Sequence, residues 1–114
     1  MLSLADPGIV LQTRAAFPHL EAEYRGHDGI RRYWHTVSAP FEHLRIEVEC
    51  VRRRGDDIAI LFRFRAQGRG GWEMRARFGQ VGHVREGLLT DIVAYGNWDS
   101  AAEAIGLRVE DLVL

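Results

Sequence analysis

The sequence predicts an α+β fold in which a curved antiparallel sheet wraps around a few helices. From residue 41 onward, apolar and polar side chains alternate along segments separated by glycine-containing turns, as in an antiparallel meander. Two of these segments are longer than ordinary strands, and residues 28–37 place apolar side chains at helical spacing. Because the chain has 114 residues, we expect residues 1–114 to form one domain.

The predicted meander has four strands, each bounded by a turn. The first contains residues 44–50, the second residues 58–67, the third residues 72–85 and the last residues 88–95. A long strand in a small domain must bend to keep one apolar face on the core, and glycines inside the third strand are typical of bends and bulges. We therefore expect a strongly curved sheet that is concave on its apolar side.

Two helices are expected to fill the concave side. Asp28 is the predicted N-cap of the first helix, and a second helix runs from about residue 99 to residue 105 and ends at Gly106. The apolar stripe of the first helix consists of Ile30, Tyr33, Trp34 and Val37.

The start of the chain has a weaker pattern. Residues 9–25 are predicted to form two short strands that are broken near Pro18. Residues 1–8 are long enough for about one turn of helix before Pro7 and Gly8.

Composition excludes several classes of protein. Fifteen basic residues, all of them arginine, face sixteen acidic ones, and a net charge of -1 argues against nucleic-acid binding. The single Cys50 excludes a disulfide framework, and no histidine pair has the spacing of metal ligands, so neither metal nor cofactor is expected. No apolar run is long enough to cross a membrane and no secretory leader is visible, so we expect a cytoplasmic protein.

Register arithmetic predicts which side chains of the last hairpin face inward. A two-residue turn at residues 86–87 would pair Gly82 with Asp91, Gln80 with Val93 and Phe78 with Tyr95, all on the side of Trp72 and Met74. The polar groups of Asp91, Gln80 and Tyr95 would then point into an apolar enclosure.

The other face of the same hairpin is also apolar. With no helix left to cover it, this face predicts a homodimer through the sheet. The residues of the predicted interface are Val81, Leu88, Ile92 and Ala94. Earlier in the sheet, a three-residue turn would pair Glu49 with Arg63 and Glu47 with Arg65, which is typical of a solvated face and not of an anion site.

Three segments resemble one known family. They are residues 24–34, the hairpin at 85–89, and residues 95–107. The chain is similar, over about residues 4–107, to SnoaL-like proteins of the nuclear transport factor two-like superfamily. The resemblance implies a cone (a cystatin-like α+β barrel) with a ligand pocket at its open end and frequent dimerisation. Such domains begin with a long helix and a short one. Residues 1–7 look like the tail of the short helix, so the N-terminal helix is expected to be missing.

The resemblance and the register together indicate candidate site residues. Asp91 is the predicted catalytic residue, because a carboxylate in an apolar enclosure is suited to moving a proton next to a carbonyl. Gln80 and Tyr95 would orient the substrate, and the predicted pocket lining consists of Trp72, Tyr33, Trp34 and Met74. In another register, Asp91 would instead be exposed or paired with an arginine.

Family members include polyketide cyclases, ketosteroid isomerases and limonene-epoxide hydrolases. The expected function is therefore cofactor-free acid–base chemistry on a small apolar carbonyl or hydroxyl compound, by isomerisation, cyclisation or epoxide hydrolysis. The alternative is a non-catalytic ligand-binding or dimerisation module of the same fold.

Overall fold

A computed structural model describes residues 4–13 and 20–112, and this part of the chain forms a six-stranded, curved and unclosed sheet with helices on both faces. The predicted α+β class is confirmed. The elements are β1 (Ala5–Gln12), β2 (Glu23–Arg25), α1 (Gly26–Ser38), β3 (Phe41–Arg54), β4 (Asp57–Gly68), β5 (Glu73–Arg85), β6 (Leu88–Tyr95), α2 (Trp98–Ala104) and α3 (Val109–Leu112). None of these described helices has the length and apolar character needed to span a bilayer.

Strands β3 to β6 form the predicted antiparallel meander, and the sheet order is β2-β1-β6-β5-β4-β3. The sheet is mixed, however, because β1 runs parallel to β6 and pairs Leu11 with Ile92. Residues 5–12 are therefore a strand, so the helical turn expected over residues 1–8 is wrong for residues 5–8, and residues 1–3 lie outside the described residues. Two short strands are present, as predicted, and β2 pairs antiparallel with β1; Pro18 lies outside the described residues.

Helix α1 covers the face of the sheet that we call the inner face. Its buried side chains Ile30, Tyr33 and Val37 join a core with Phe64 and Phe78 from β4 and β5. Alternation explains this meeting, since even-numbered residues of both strands point to the same side.

The N-terminus of α1 differs from the prediction. Its N-cap residue is Arg25, without a capping side-chain bond, and Asp28 lies inside the first turn, where its Oδ1 accepts from Arg31 Nη1 at 2.8 Å. The carboxylate still lies near the positive end of the helix dipole, so it favours the helix from a different position.

Helix α2 packs on the opposite side, the outer face, and not inside the concavity as expected. Leu61 and Val81 of the sheet form a second core with Trp98, Ala101 and Ile105. The predicted end holds, since Gly106 follows the helix with φ +74. The helix starts where the Asn97 side chain accepts a hydrogen bond from Ser100 N at 2.8 Å.

The inner face is only partly covered by α1. Val48 and Val51 of the edge strand β3 are 61% and 59% exposed, although they point to the same side as the buried core residues of β4. The cone implied by the resemblance is therefore open along β3 in the described part of the chain.

The register between β3 and β4 differs from the predicted one by one residue between the turn and Cys50, and by two residues beyond Glu49. The turn is Gly55-Asp56 with Arg54 opposite Asp57, and a bulge at Glu49 shifts the pairing again. Cys50 consequently lies opposite Leu61 and packs against the second core on the outer face. Strict alternation would have placed its side chain on the inner face.

The contact between α2 and β5 requires glycine at position 79. A Cβ atom built there would lie 2.4 Å from Ala101 Cβ, which is well inside van der Waals contact. Gly79→Ala should therefore lower the free energy of unfolding by roughly 1–3 kcal/mol, although Gly→Ala in a strand is otherwise favourable. Denaturant titration measures this change.

The double variant Gly79→Ala/Ala101→Gly is the control. Because the facing methyl group is then absent, Gly79→Ala should lower the free energy of unfolding less in the Ala101→Gly background than in the wild type. An equal cost in both backgrounds would show that α2 does not press on β5 at this point.

Candidate functional site

A cavity of about 340 Å³ lies between α1, β1 and the β5–β6 hairpin. Its volume suits a small organic ligand. The lining is mostly apolar and consists of Ala5, Ile9, Leu11, Ile30, Arg31, Tyr33, Trp34, Gln80, Leu89 and Ile92.

Local sequence patterns explain how these side chains meet. Ile30, Tyr33 and Trp34 are three and four residues apart and share one face of α1. Ile9 and Leu11 alternate along β1, so both point toward the same side of the sheet. The cavity is therefore built from the apolar faces of ordinary elements.

Tyr33 and Gln80 form a polar pair within this apolar lining. Burial raises the pKa of Tyr33 to about 12, and its hydrogen bond with the Gln80 side chain acts in the opposite direction. The Gln80 amide carries both a donor and an acceptor, and when its NH₂ donates to the phenol oxygen the hydroxyl hydrogen is left for another acceptor. The Tyr33 ring packs edge-on against Tyr24 and Trp34, each at 5.5 Å between centroids.

The predicted inward orientation of Asp91 is wrong. Val84 does pair with Leu89 as expected, but a bulge at Thr90 then places Asp91 opposite His83 instead of Gly82. The extra residue turns the Asp91 side chain to the outer face. The orientation on which its catalytic assignment depended is therefore absent.

On the outer face Asp91 belongs to a small polar cluster. Its Oδ1 is hydrogen-bonded to His83 Nδ1, and His83 Nε2 lies 3.0 Å from Asp57 Oδ1. The Asp91 side chain is 45% exposed, so this is a solvated cluster. No group of three or more possible ligand residues in the described part of the chain has a metal-binding arrangement.

The same bulge moves Tyr95 out of the cavity. Tyr95 lies opposite Gly79 and packs on the second core beneath α2. Trp72 is 48% exposed at the β4–β5 hairpin, where its ring lies 5.7 Å from that of Phe41. Met74 packs against the inner core without lining the cavity. Of the predicted site residues, the structure brings together Gln80, Tyr33 and Trp34.

The four residues of the predicted dimer surface do not share a face. Val81 is buried under α2, Ala94 is buried on the inner side, and Ile92 lines the cavity. Leu88 alone is half-buried on the outer side, opposite Arg85. Dimerisation stays a prediction, but the surface proposed for it is not present in the described residues.

Sequence reasoning missed the contribution of β1 and of Arg31. The alternation of Ile9 and Leu11 was a visible signal, but nothing local indicated that β1 joins β6 in parallel. Arg31 is the one charged side chain among the described lining residues, and it is paired with Asp28 at 2.8 Å.

Solved structures share this fold at low sequence identity. A nuclear transport factor two-like protein of unknown function from Burkholderia pseudomallei is 18% identical, with a TM-score of 0.74 over 95% of this chain and 82% of its own. A hypothetical protein with a ketosteroid isomerase-like fold from Catenulispora acidiphila, in complex with trimethylamine, is 16% identical, with a TM-score of 0.71 over 96% and 82%. TerC, co-crystallised with polyporic acid, is 17% identical, with a TM-score of 0.74 over 91% and 81%.

Sequence comparison gives the family. No curated protein matches the chain significantly. The family model described as the SnoaL-like domain, however, matches residues 1–92, which is most of the sequence. The structural similarity to nuclear transport factor two-like proteins agrees with this match. The chain therefore belongs to the SnoaL-like domain family.

Proposed function

We propose that the protein binds a small, largely apolar molecule that carries one hydrogen-bond acceptor, such as a carbonyl, in the cavity beneath α1. The observation that carries this proposal is the Tyr33–Gln80 pair, the neutral polar pair in a mostly apolar lining. The Tyr33 hydroxyl would donate to the acceptor, and Gln80 would hold the hydroxyl in place.

The physical chemistry of the lining supports this ligand class. Apolar walls stabilise an apolar body by about 25 cal/mol for each Å² removed from water. A buried donor discriminates strongly between ligands, because a ligand without an acceptor leaves the donor unpaired. Since burial raises the pKa of Tyr33 to about 12, its hydroxyl remains a donor at neutral pH.

Proteins of similar fold also bind small organic molecules. TerC was co-crystallised with polyporic acid, and the Catenulispora acidiphila protein is in complex with trimethylamine. In this chain, Arg31 lines the cavity, so its charge would disfavour a cationic ligand such as an amine. Neutral or acidic compounds are the ligands that we propose.

Binding is favoured over acid–base catalysis at this cavity. No carboxylate or imidazole is among the described residues that line it, and the Arg31 guanidinium does not release its proton in proteins. The cyclase and isomerase chemistry of family members needs a group that moves a proton. The non-catalytic alternative predicted from the sequence therefore suits the described lining better.

A pair of dyes tests the proposed function. Prodan is an apolar naphthalene ketone, and its analogue with a propyl group in place of the propionyl group lacks the carbonyl. The wild type should bind prodan more tightly than it binds this analogue. Tyr33→Phe should weaken prodan binding about tenfold, the value of one buried hydrogen bond, and leave the analogue unaffected. Fluorescence titration measures both affinities.

Asp91→Asn is the matched control for this experiment. Because Asp91 points to the outer face, its replacement should leave both affinities unchanged. If Tyr33→Phe weakened the binding of both dyes equally, the hydroxyl would not be the group that recognises the carbonyl. Absence of binding by either dye would contradict the proposed function itself.

The pKa of Tyr33 has a measurable consequence at alkaline pH. The unfolded chain ionises this tyrosine near 10.0 and the folded chain near about 12. Between these values the unfolded state holds fewer protons, so stability falls as pH rises through this window. Ultraviolet titration should show a late ionisation that belongs to Tyr33.

Two variants identify the residue responsible for the late step. Tyr33→Phe should remove it and reduce the loss of stability between pH 10 and about 12. Tyr95→Phe should leave the late step in place. If Tyr33→Phe left the titration curve above pH 10 unchanged, the hydroxyl of Tyr33 would not be protected from solvent.

A further inference from the structure

We infer that the outer face of β3, β4 and β5 binds a short oligophosphate, the phosphate chain of a small soluble ligand. Three arginines lie side by side there on neighbouring strands. They are Arg45, Arg65 and Arg75, and we call them the arginine row.

The strand register creates this row. Arg65 of β4 lies opposite Arg45 of β3 on one side and opposite Arg75 of β5 on the other. Cross-strand neighbours have Cβ atoms about 5 Å apart, and like charges in such positions destabilise a sheet. An anion that bridges the guanidinium groups would remove this repulsion.

Nearby glutamates do not neutralise the whole row. Arg45 Nε lies 3.1 Å from Glu47 Oε1, whereas Glu73 Oε1 accepts from the Gln67 amide at 3.3 Å. Arg65 and Arg75 are exposed, and neither forms an ion pair with a carboxylate in the described residues. Positive charge is therefore uncompensated at the centre of the row.

A second line of positive charge flanks the row. Arg63 and Arg77 lie opposite each other on β4 and β5, two residues from Arg65 and Arg75 respectively. Arg77 stacks over the Trp98 ring at 4.9 Å, and Arg63 contacts both that ring, at 5.7 Å, and Glu49 Oε2, at 3.4 Å. These contacts fix the two guanidinium groups beside the row.

Two depressions adjoin the row. A depression of about 530 Å³ lies on one side of Arg65 and Arg75, and a second of about 360 Å³ lies on the other. Both arginines line both depressions. A ligand placed in either one would therefore reach the centre of the row.

The dimensions of the row favour a short anion. Adjacent strands are about 4.8 Å apart, so three arginines span about 10 Å, the length of two or three linked phosphates. The row ends at both sides, because β3 is an edge strand and β6 stops opposite Gly79 before it reaches Arg75. Glu47 and Glu73 on the flanks would repel a longer polyanion. The planar guanidinium fork matches phosphate oxygens in pairs.

Calorimetric titration with inorganic tripolyphosphate at low salt tests this site. The wild type should bind one equivalent. Arg65→Gln/Arg75→Gln should weaken binding at least about tenfold, because it removes charge-assisted hydrogen bonds. The control Arg69→Gln/Arg85→Gln removes the same charge from exposed arginines outside the row and should change affinity less than about twofold.

A thermal melt separates loss of binding from loss of folding. Without ligand, Arg65→Gln/Arg75→Gln should melt at the wild-type temperature or above, since repulsion between the two side chains is removed. Tripolyphosphate should raise the midpoint of the wild type and not of this variant. If that variant melts earlier, Arg65→Lys/Arg75→Lys keeps the charge without the planar fork, so it should bind tripolyphosphate more weakly than the wild type and more tightly than the glutamine variant.

Four outcomes would overturn the inference. The first is no binding of tripolyphosphate, and the second is equal weakening by the row variant and its control. The third is tighter binding of a single-stranded oligonucleotide than of tripolyphosphate. The fourth is a wild-type dimer that dissociates in Arg65→Gln/Arg75→Gln, as sedimentation velocity would show, because a second copy would then occupy the row.

Discussion

The bulge at Thr90 determines what the cavity contains. It lets Leu89 and Ile92, which are three residues apart, both face inward, whereas strict alternation would bring Asp91 inward and turn Ile92 out. An unpaired carboxylate in this apolar lining would cost several kcal/mol. With the bulge, the carboxylate instead meets His83 on the solvated face.

Strand β1 depends on the same irregularity. Ala5 pairs with Leu89 and Val10 with Asp91, so four residues of β1 span the place where β6 holds only Thr90. The widened segment of β1 contains Pro7 and Gly8, residues that tolerate a departure from regular pairing. The two irregularities lie side by side, and together they set Leu11 next to Ile92 in the cavity wall.

Local patterns were sufficient to predict the regular parts of the fold. Alternation and turn residues identified β3 to β6, and helical spacing identified α1 and the residues Tyr33 and Trp34 that line the cavity. The bulges at Glu49 and Thr90 were not predictable in this way, because neither residue differs from an ordinary strand residue. The parallel pairing of β1 was also hidden, since it joins residues about 80 apart in sequence.

The two shifts in the sheet have different consequences because side chains alternate with a period of two. A shift of one residue, as at Thr90, exchanges the inner and outer sets and so changes which groups enter the cavity. Between β3 and β4, the short turn and the bulge at Glu49 together shift the register by two. Arg65 therefore keeps its predicted face but exchanges its predicted partner, Glu47, for Arg45. An odd shift thus alters the composition of a face, and an even shift alters only its charge pairing. The odd shift at Thr90 produces the apolar cavity, and the even shift between β3 and β4 produces the arginine row.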